Sequence, residues 1–129
     1  MPTIYLEHHV DAPAATVWQQ ISDIRSPERL TNMIHAVEVI EECERACATD
    51  HGKIVERIIS VDHDRRRVAY TATQSPFPIN HHNAALTVTE EPDGSRLTWI
   101  TDIEPAEVAD ALQPVLAAEF DVIVARLAT

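Results

Sequence analysis

A chain of 129 residues with 45% apolar residues and only two glycines has the composition of one packed domain over residues 1–129, not of a disordered segment. Twenty-one acidic against ten basic side chains give a formal charge of −11, the wrong sign for a nucleic-acid or anionic-membrane partner. No apolar run approaches the ~20 residues of a membrane span, and no basic patch leads into an apolar stretch at the N-terminus. The expectation is a cytoplasmic protein with neither nucleic acid nor membrane as partner.

Ile4, Leu6, His8 and Val10 alternate with Tyr5, Glu7, His9 and Asp11, the period of a strand, with His8 standing where the pattern asks for an apolar residue. After Ala12-Pro13 the period lengthens, and Val17, Trp18, Ile21 and Ile24 mark an amphipathic helix with Pro13 in its first turn. Residues 26–30 read as a second short helix, capped by Ser26 and opened by Pro27. Val37 and Val39 begin a strand. A weaker one over residues 43–49 ends at Asp50-His51-Gly52. Residues 53–61 alternate, turn at 62–65, and alternate again over 68–73. Ser75-Pro76-Phe77-Pro78 interrupts the sheet, because proline cannot donate to a ladder. Residues 80–89, a hairpin turn at Pro92-Asp93-Gly94, and an inward face of Leu97, Trp99, Thr101 and Ile103 complete it. The short connections predict an antiparallel meander.

From Pro105 onward Val108, Leu112, Leu116, Phe120, Ile123 and Leu127 form one helical stripe. Pro114 within it predicts either a kink or a division into two helices. Cys43 and Cys47 fall on one strand face, too far apart for a disulfide, and are expected as reduced packing residues.

The segment Asp11-Ala12-Pro13-Ala14-Ala15-Thr16-Val17-Trp18 resembles the opening of the START and birch-pollen-allergen (SRPBCC) superfamily, and Ala36-Val37-Glu38-Val39-Ile40-Glu41-Glu42 resembles its second strand. That resemblance implies an α+β helix-grip fold. A seven-stranded curved antiparallel sheet wraps a long C-terminal helix, two short helices follow the first strand, and a cavity lies between sheet and helix. Val61-Asp62, Arg65-Arg66-Arg67-Val68, Tyr70 and Ser75-Pro76-Phe77-Pro78 resemble the polyketide cyclase/dehydrase group, which includes the aromatase/cyclases. The paired arginine typical of those enzymes is matched here by Arg57-Ile58, and their His-Asp by Thr101-Asp102. The inward arginine and histidine are thus replaced by Ile58 and Thr101.

On the inward faces, His8, Glu56, Tyr70, Asn80, His82, Trp99 and Thr101 are candidate cavity-wall residues, with Trp18 and Met33 closing one end. The strand order of the helix-grip fold makes 56, 70, 82 and 99 successive neighbours and brings His8 toward Trp99 and Thr101. Buried polar groups need partners, so this set predicts a mutual network or a polar ligand. Glu56, Tyr70 and His82 are the candidate proton carriers of a carbonyl enolisation or dehydration. His8, Trp18, Met33, Asn80, Trp99 and Thr101 are the candidate ligand contacts. Three readings follow: a binding protein for a small hydrophobic, cyclic or polyketide-like ligand; a cyclase/dehydrase-type enzyme; or a non-catalytic interaction module, as monomer or homodimer. His8-His9 and His81-His82 are adjacent on strands, so each pair splits between two faces; His8, His82 and Glu56 remain as a three-ligand set, but strand separation is expected to exceed ligand reach, so no metal site is expected. No phosphate loop, nucleophile elbow or dinucleotide fingerprint is present, so no cofactor is expected either.

Overall fold

Residues 2–129 are described by the computed structural model. Strand β1 (Thr3–Val10) hands over to helix α1 (Ala14–Ile21) across Pro13, whose extended backbone (φ −60°, ψ 145°) lets the chain leave the sheet before the first helical turn. A 3₁₀ turn (Pro27–Arg29) leads to β2 (Ile34–Glu41), β3 (Glu44–Thr49), β4 (Gly52–Asp62), β5 (Arg67–Gln74), β6 (His81–Glu91), β7 (Gly94–Glu104) and helix α2 (Ala106–Leu127). The seven strands make one sheet in the order β1-β7-β6-β5-β4-β3-β2, every pair antiparallel. Strands β2 to β7 are the expected meander, and β1 closes alongside β7.

Two tight turns set the register on either side of the site. Thr49 pairs with Gly52 around Asp50-His51, with Gly52 at φ +128°. Glu91 pairs with Gly94 around Pro92-Asp93. Gly94 has φ +153°, and a Cβ there would lie 2.3 Å from the Val10 carbonyl oxygen, so only glycine lets this hairpin press against the end of β1.

Helix α2 runs unbroken through Pro114. The proline denies a hydrogen bond to the Asp110 carbonyl, but both residues are on the exposed side, where the carbonyl is open to solvent. The opposite stripe of Val108, Leu116, Phe120, Ile123 and Leu127 is buried against the sheet. A residue like Leu127, 1% exposed, contributes about 1.5–3 kcal/mol by burial. One core cluster joins α1 to the second half of α2, a second surrounds the start of α2, and Leu6 and Trp99 touch both.

Three local expectations change. The second helix is only a 3₁₀ turn, and the Ser26 side chain does not cap it. β2 begins at Ile34, three residues before the first valine of its alternation. Cys43 lies in the turn before β3 and is exposed, so of the two free cysteines only Cys47 packs inside.

Candidate ligand cavity

Strand alternation sends Arg45 and Cys47, Ile54 and Glu56, Tyr70 and Ala72, and Trp99 and Thr101 to the face that looks toward α2. Together with His82, with Leu112 and Leu116 of α2, and with Leu30 and Met33 of the segment before β2, they line a partly open cavity of about 170 Å³. The wall is mostly apolar. Its volume is well below the ~300–1,000 Å³ of drug-sized sites and close to that of an apolar cavity that holds one benzene ring, ~150 Å³.

The polar part of the wall is organised around a buried ion pair. Arg45 and Glu56 stand directly opposite each other on β3 and β4. The Arg45 Nε–H donates to Glu56 Oε1 at 2.9 Å, Nη2 lies 2.9 Å from the same oxygen, and Nη1–H donates to the Ile24 carbonyl at 2.6 Å. The two side chains are 11% and 13% exposed. The Cys47 thiol donates to Glu56 Oε1 at 3.8 Å. Burial, reinforced by the Glu56 charge, pushes that thiol up to about 12, so it is a packing group and not a nucleophile. The guanidinium carbon of Arg45 sits 5.6 Å from the centroid of the Tyr70 ring, within cation–π range.

Beyond Tyr70 the wall presents hydrogen-bond donors. The Trp99 indole N–H donates to the Tyr70 hydroxyl oxygen at 3.1 Å. The phenolic proton itself finds no acceptor among the described residues. Burial first, then the Glu56 charge, raises the Tyr70 pKa, which keeps the phenol protonated. The Tyr70 and His82 ring centroids are 5.9 Å apart. His82 Nδ1 accepts the Ala72 backbone N–H at 2.9 Å, and this places the ring proton on Nε2. Burial, with a smaller effect of His81, lowers the His82 pKa to about 4, so the ring is neutral near pH 7 and offers an N–H.

Of the residues expected at the site, Glu56, Tyr70, His82, Trp99, Thr101 and Met33 lie on this wall. Three do not. His8 is exposed, although Ile4 and Val10 on the same face of β1 are buried: its ring turns to the His9 carbonyl, 2.5 Å from Nδ1. Asn80 is exposed in the bend before β6, outside the strand whose alternation was to aim it inward. Trp18 is core rather than wall, its indole N–H donating to His63 Nδ1 at 3.1 Å. The expected succession 56, 70, 82, 99 is also staggered: Glu56 pairs with Ala72, Tyr70 with Ala84, His82 with Ile103, and Trp99 with Leu86. Arg45 was not singled out in the sequence. Its signal was the Asp50-His51 turn: pairing outward from Thr49 and Gly52 puts Arg45 opposite Glu56.

A curved seven-stranded antiparallel sheet holding a long C-terminal helix, with a short helix after the first strand, defines a START/SRPBCC helix-grip protein. Within that class the chain belongs to the family described as polyketide cyclase / dehydrase and lipid transport, whose profile matches residues 1–129. The motifs Val61-Asp62, Arg65-Arg66-Arg67-Val68, Tyr70 and Ser75-Pro76-Phe77-Pro78 resemble that same group. Similar solved structures include an uncharacterised protein from Bacillus thuringiensis (TM-score 0.90, 19% identity, 99% of this chain and 100% of that one). A START superfamily protein from Mycobacterium smegmatis is similar at TM-score 0.82 and 12% identity over 97% and 96% of the two chains. The di-domain ARO/CYC BexL from the BE-7585A biosynthetic pathway is similar at TM-score 0.85 and 15% identity, over 98% of this chain and 46% of that one. At these identities the likeness is one of fold. No curated protein sequence matches the chain. Among the described residues no helix is long and apolar enough to cross a membrane.

Proposed function

We propose that this protein binds one small, largely apolar, ring-containing molecule in the cavity between the sheet and α2. The observation that carries this reading is the cavity itself. Protein interiors are close-packed and hold few voids larger than a water molecule, whereas this one measures about 170 Å³ behind mostly apolar side chains. A ligand held wholly inside is the size of a single substituted ring, smaller than a multi-ring polyketide. Binding without turnover is favoured by the state of the three candidate proton carriers. Glu56 is held under Arg45, His82 is neutral with Nδ1 engaged, and the Tyr70 phenol stays protonated. His82 and Tyr70 therefore each keep a single protonation state near pH 7.

The reading is tested by thermal unfolding with a panel of neutral single-ring compounds, ethylbenzene and acetophenone among them. At 100 times its Kd a ligand stabilises the folded state by about 2.7 kcal/mol. For a chain of this length that raises Tm by about 10 °C. Ala72→Leu, which fills part of the wall, is expected to abolish the shift while leaving the far-ultraviolet dichroism intact. A panel without any shift in the wild type, or equal shifts in the filled variant, refutes cavity binding.

A further inference from the structure

We propose that the Arg45–Glu56 pair sets the charge of the ligand, so that the cavity takes a neutral molecule with one acceptor oxygen and turns away the corresponding acid. This rests on the cavity-binding reading above and deepens it. Every charged side chain on the wall already has a partner. Arg45 is matched by Glu56, and Asp23 by Arg29, with Nη2 2.8 Å from Oδ2. A cationic group on a cavity wall ordinarily invites a carboxylate. Here all three guanidinium nitrogens already face oxygen atoms, two of them the Glu56 carboxylate and one the Ile24 carbonyl. An incoming carboxylate would meet an engaged cation and a fixed negative charge beside it, and a charge buried without a partner is strongly unfavourable.

What the wall does leave open is a pair of neutral donors. The Tyr70 hydroxyl proton and the His82 Nε2–H have no acceptor among the described residues, and the two rings are neighbours. Tyr70 is turned into a donor by Trp99, whose indole N–H occupies the phenol oxygen. His82 is turned into one by the Ala72 backbone N–H, which occupies Nδ1. Two neighbouring donors suit a carbonyl or ether oxygen, with the rest of the ligand against the apolar wall.

The experiment compares ethylbenzene, acetophenone and benzoate, which share a ring and differ in the polar group, by two-dimensional amide NMR titration at pH 7. Acetophenone is expected to bind the wild type about tenfold more tightly than ethylbenzene, the worth of one or two neutral hydrogen bonds. Benzoate is expected not to bind at matched concentration. In Glu56→Gln, which frees the Arg45 charge, the affinity for benzoate relative to acetophenone is expected to rise at least about tenfold, as for a charge-assisted pair. The double variant Arg45→Gln/Glu56→Gln, which removes both charges, is expected to reject benzoate again, which traces any gain in Glu56→Gln to the freed Arg45 charge. Glu56→Gln without that gain overturns the role of the pair, and should it not fold the wild-type comparison of benzoate with acetophenone still decides. Benzoate binding the wild type as tightly as acetophenone overturns the proposal while leaving cavity binding intact. Equal affinities for ethylbenzene and acetophenone overturn the acceptor-oxygen half. Absence of binding by both neutral probes would instead overturn the cavity reading itself.

Discussion

Replacing Glu56 by leucine leaves the Arg45 guanidinium, 11% exposed, with the Ile24 carbonyl as its remaining oxygen partner among the described residues. Breaking one side of a buried ion pair costs about 3–5 kcal/mol, because the surviving charge is stranded. That is a large share of the ~5–15 kcal/mol that holds a domain folded. With an unfolding entropy of about 2.1 cal/mol/K per residue, 129 residues give about 0.27 kcal/mol/K, so Tm should fall by about 11–18 °C. Arg45→Met is expected to do comparable harm, since among the described residues the Glu56 carboxylate is then left with only the Cys47 thiol. The double variant Arg45→Met/Glu56→Leu strands no charge and should lose less than either single change. Urea unfolding of the four proteins closes the double-mutant cycle, with a coupling of about 3 kcal/mol or more expected. Single variants within about 1 kcal/mol of wild type, or a double variant whose loss equals the sum of the singles, would refute the view that these groups are buried partners.

Other consequences follow from the same geometry. Tyr70→Phe removes the acceptor of the Trp99 indole N–H and should destabilise by about 1–3 kcal/mol in urea; an unchanged midpoint would mean that this N–H reaches water instead. In native protein at pH 8 a disulfide reagent should titrate Cys43 quickly and Cys47 only after unfolding, because Cys43 is exposed and the Cys47 thiol is pushed up to about 12; two fast thiols would contradict this. Because the His82 pKa drops to about 4 on folding, the unfolded chain takes up a proton first, and stability should decline as pH falls from about 6.5 toward about 4. His82→Leu should flatten that limb of the urea midpoint curve. His9 has the opposite sign. Its ring nitrogens lie 3.0 Å from Glu91 and 3.0 Å from Asp11, and these hydrogen bonds, Glu91 foremost, raise its pKa. Its contribution is present below about 6.5 and lost as pH rises through the folded value. His9→Gln should remove the loss on the alkaline limb alone.

The change from a two-residue period to a helical one across Pro13, the turns at Asp50-His51-Gly52 and Pro92-Asp93-Gly94, and the stripe on α2 are all local. Each depends on φ/ψ preference and on which face a side chain takes, which neighbours in sequence dictate. That is why the elements are legible in the sequence, while the family rests on the resemblance of its motifs. The cavity was legible only in part. Alternation assigned Glu56, Tyr70, Trp99 and Thr101 to the inward face, and there they are. It gave His8 the same face, yet that ring is exposed and turned to the His9 carbonyl, while Ile4 and Val10 of the same strand face are buried.

The amino-acid order by itself thus determined the elements, the meander and most of the inward set, since these follow from period and turn chemistry over a few residues. Only the tertiary structure decided which inward residues meet. Arg45 and Glu56, eleven residues apart, neutralise each other. Trp99 and Tyr70, twenty-nine apart, share a hydrogen bond. His82 gives up Nδ1 to a backbone N–H ten residues away. Charge state, tautomer and cavity volume all depend on distances between strands and on what α2 covers, and those exist only once the sheet has closed around the helix.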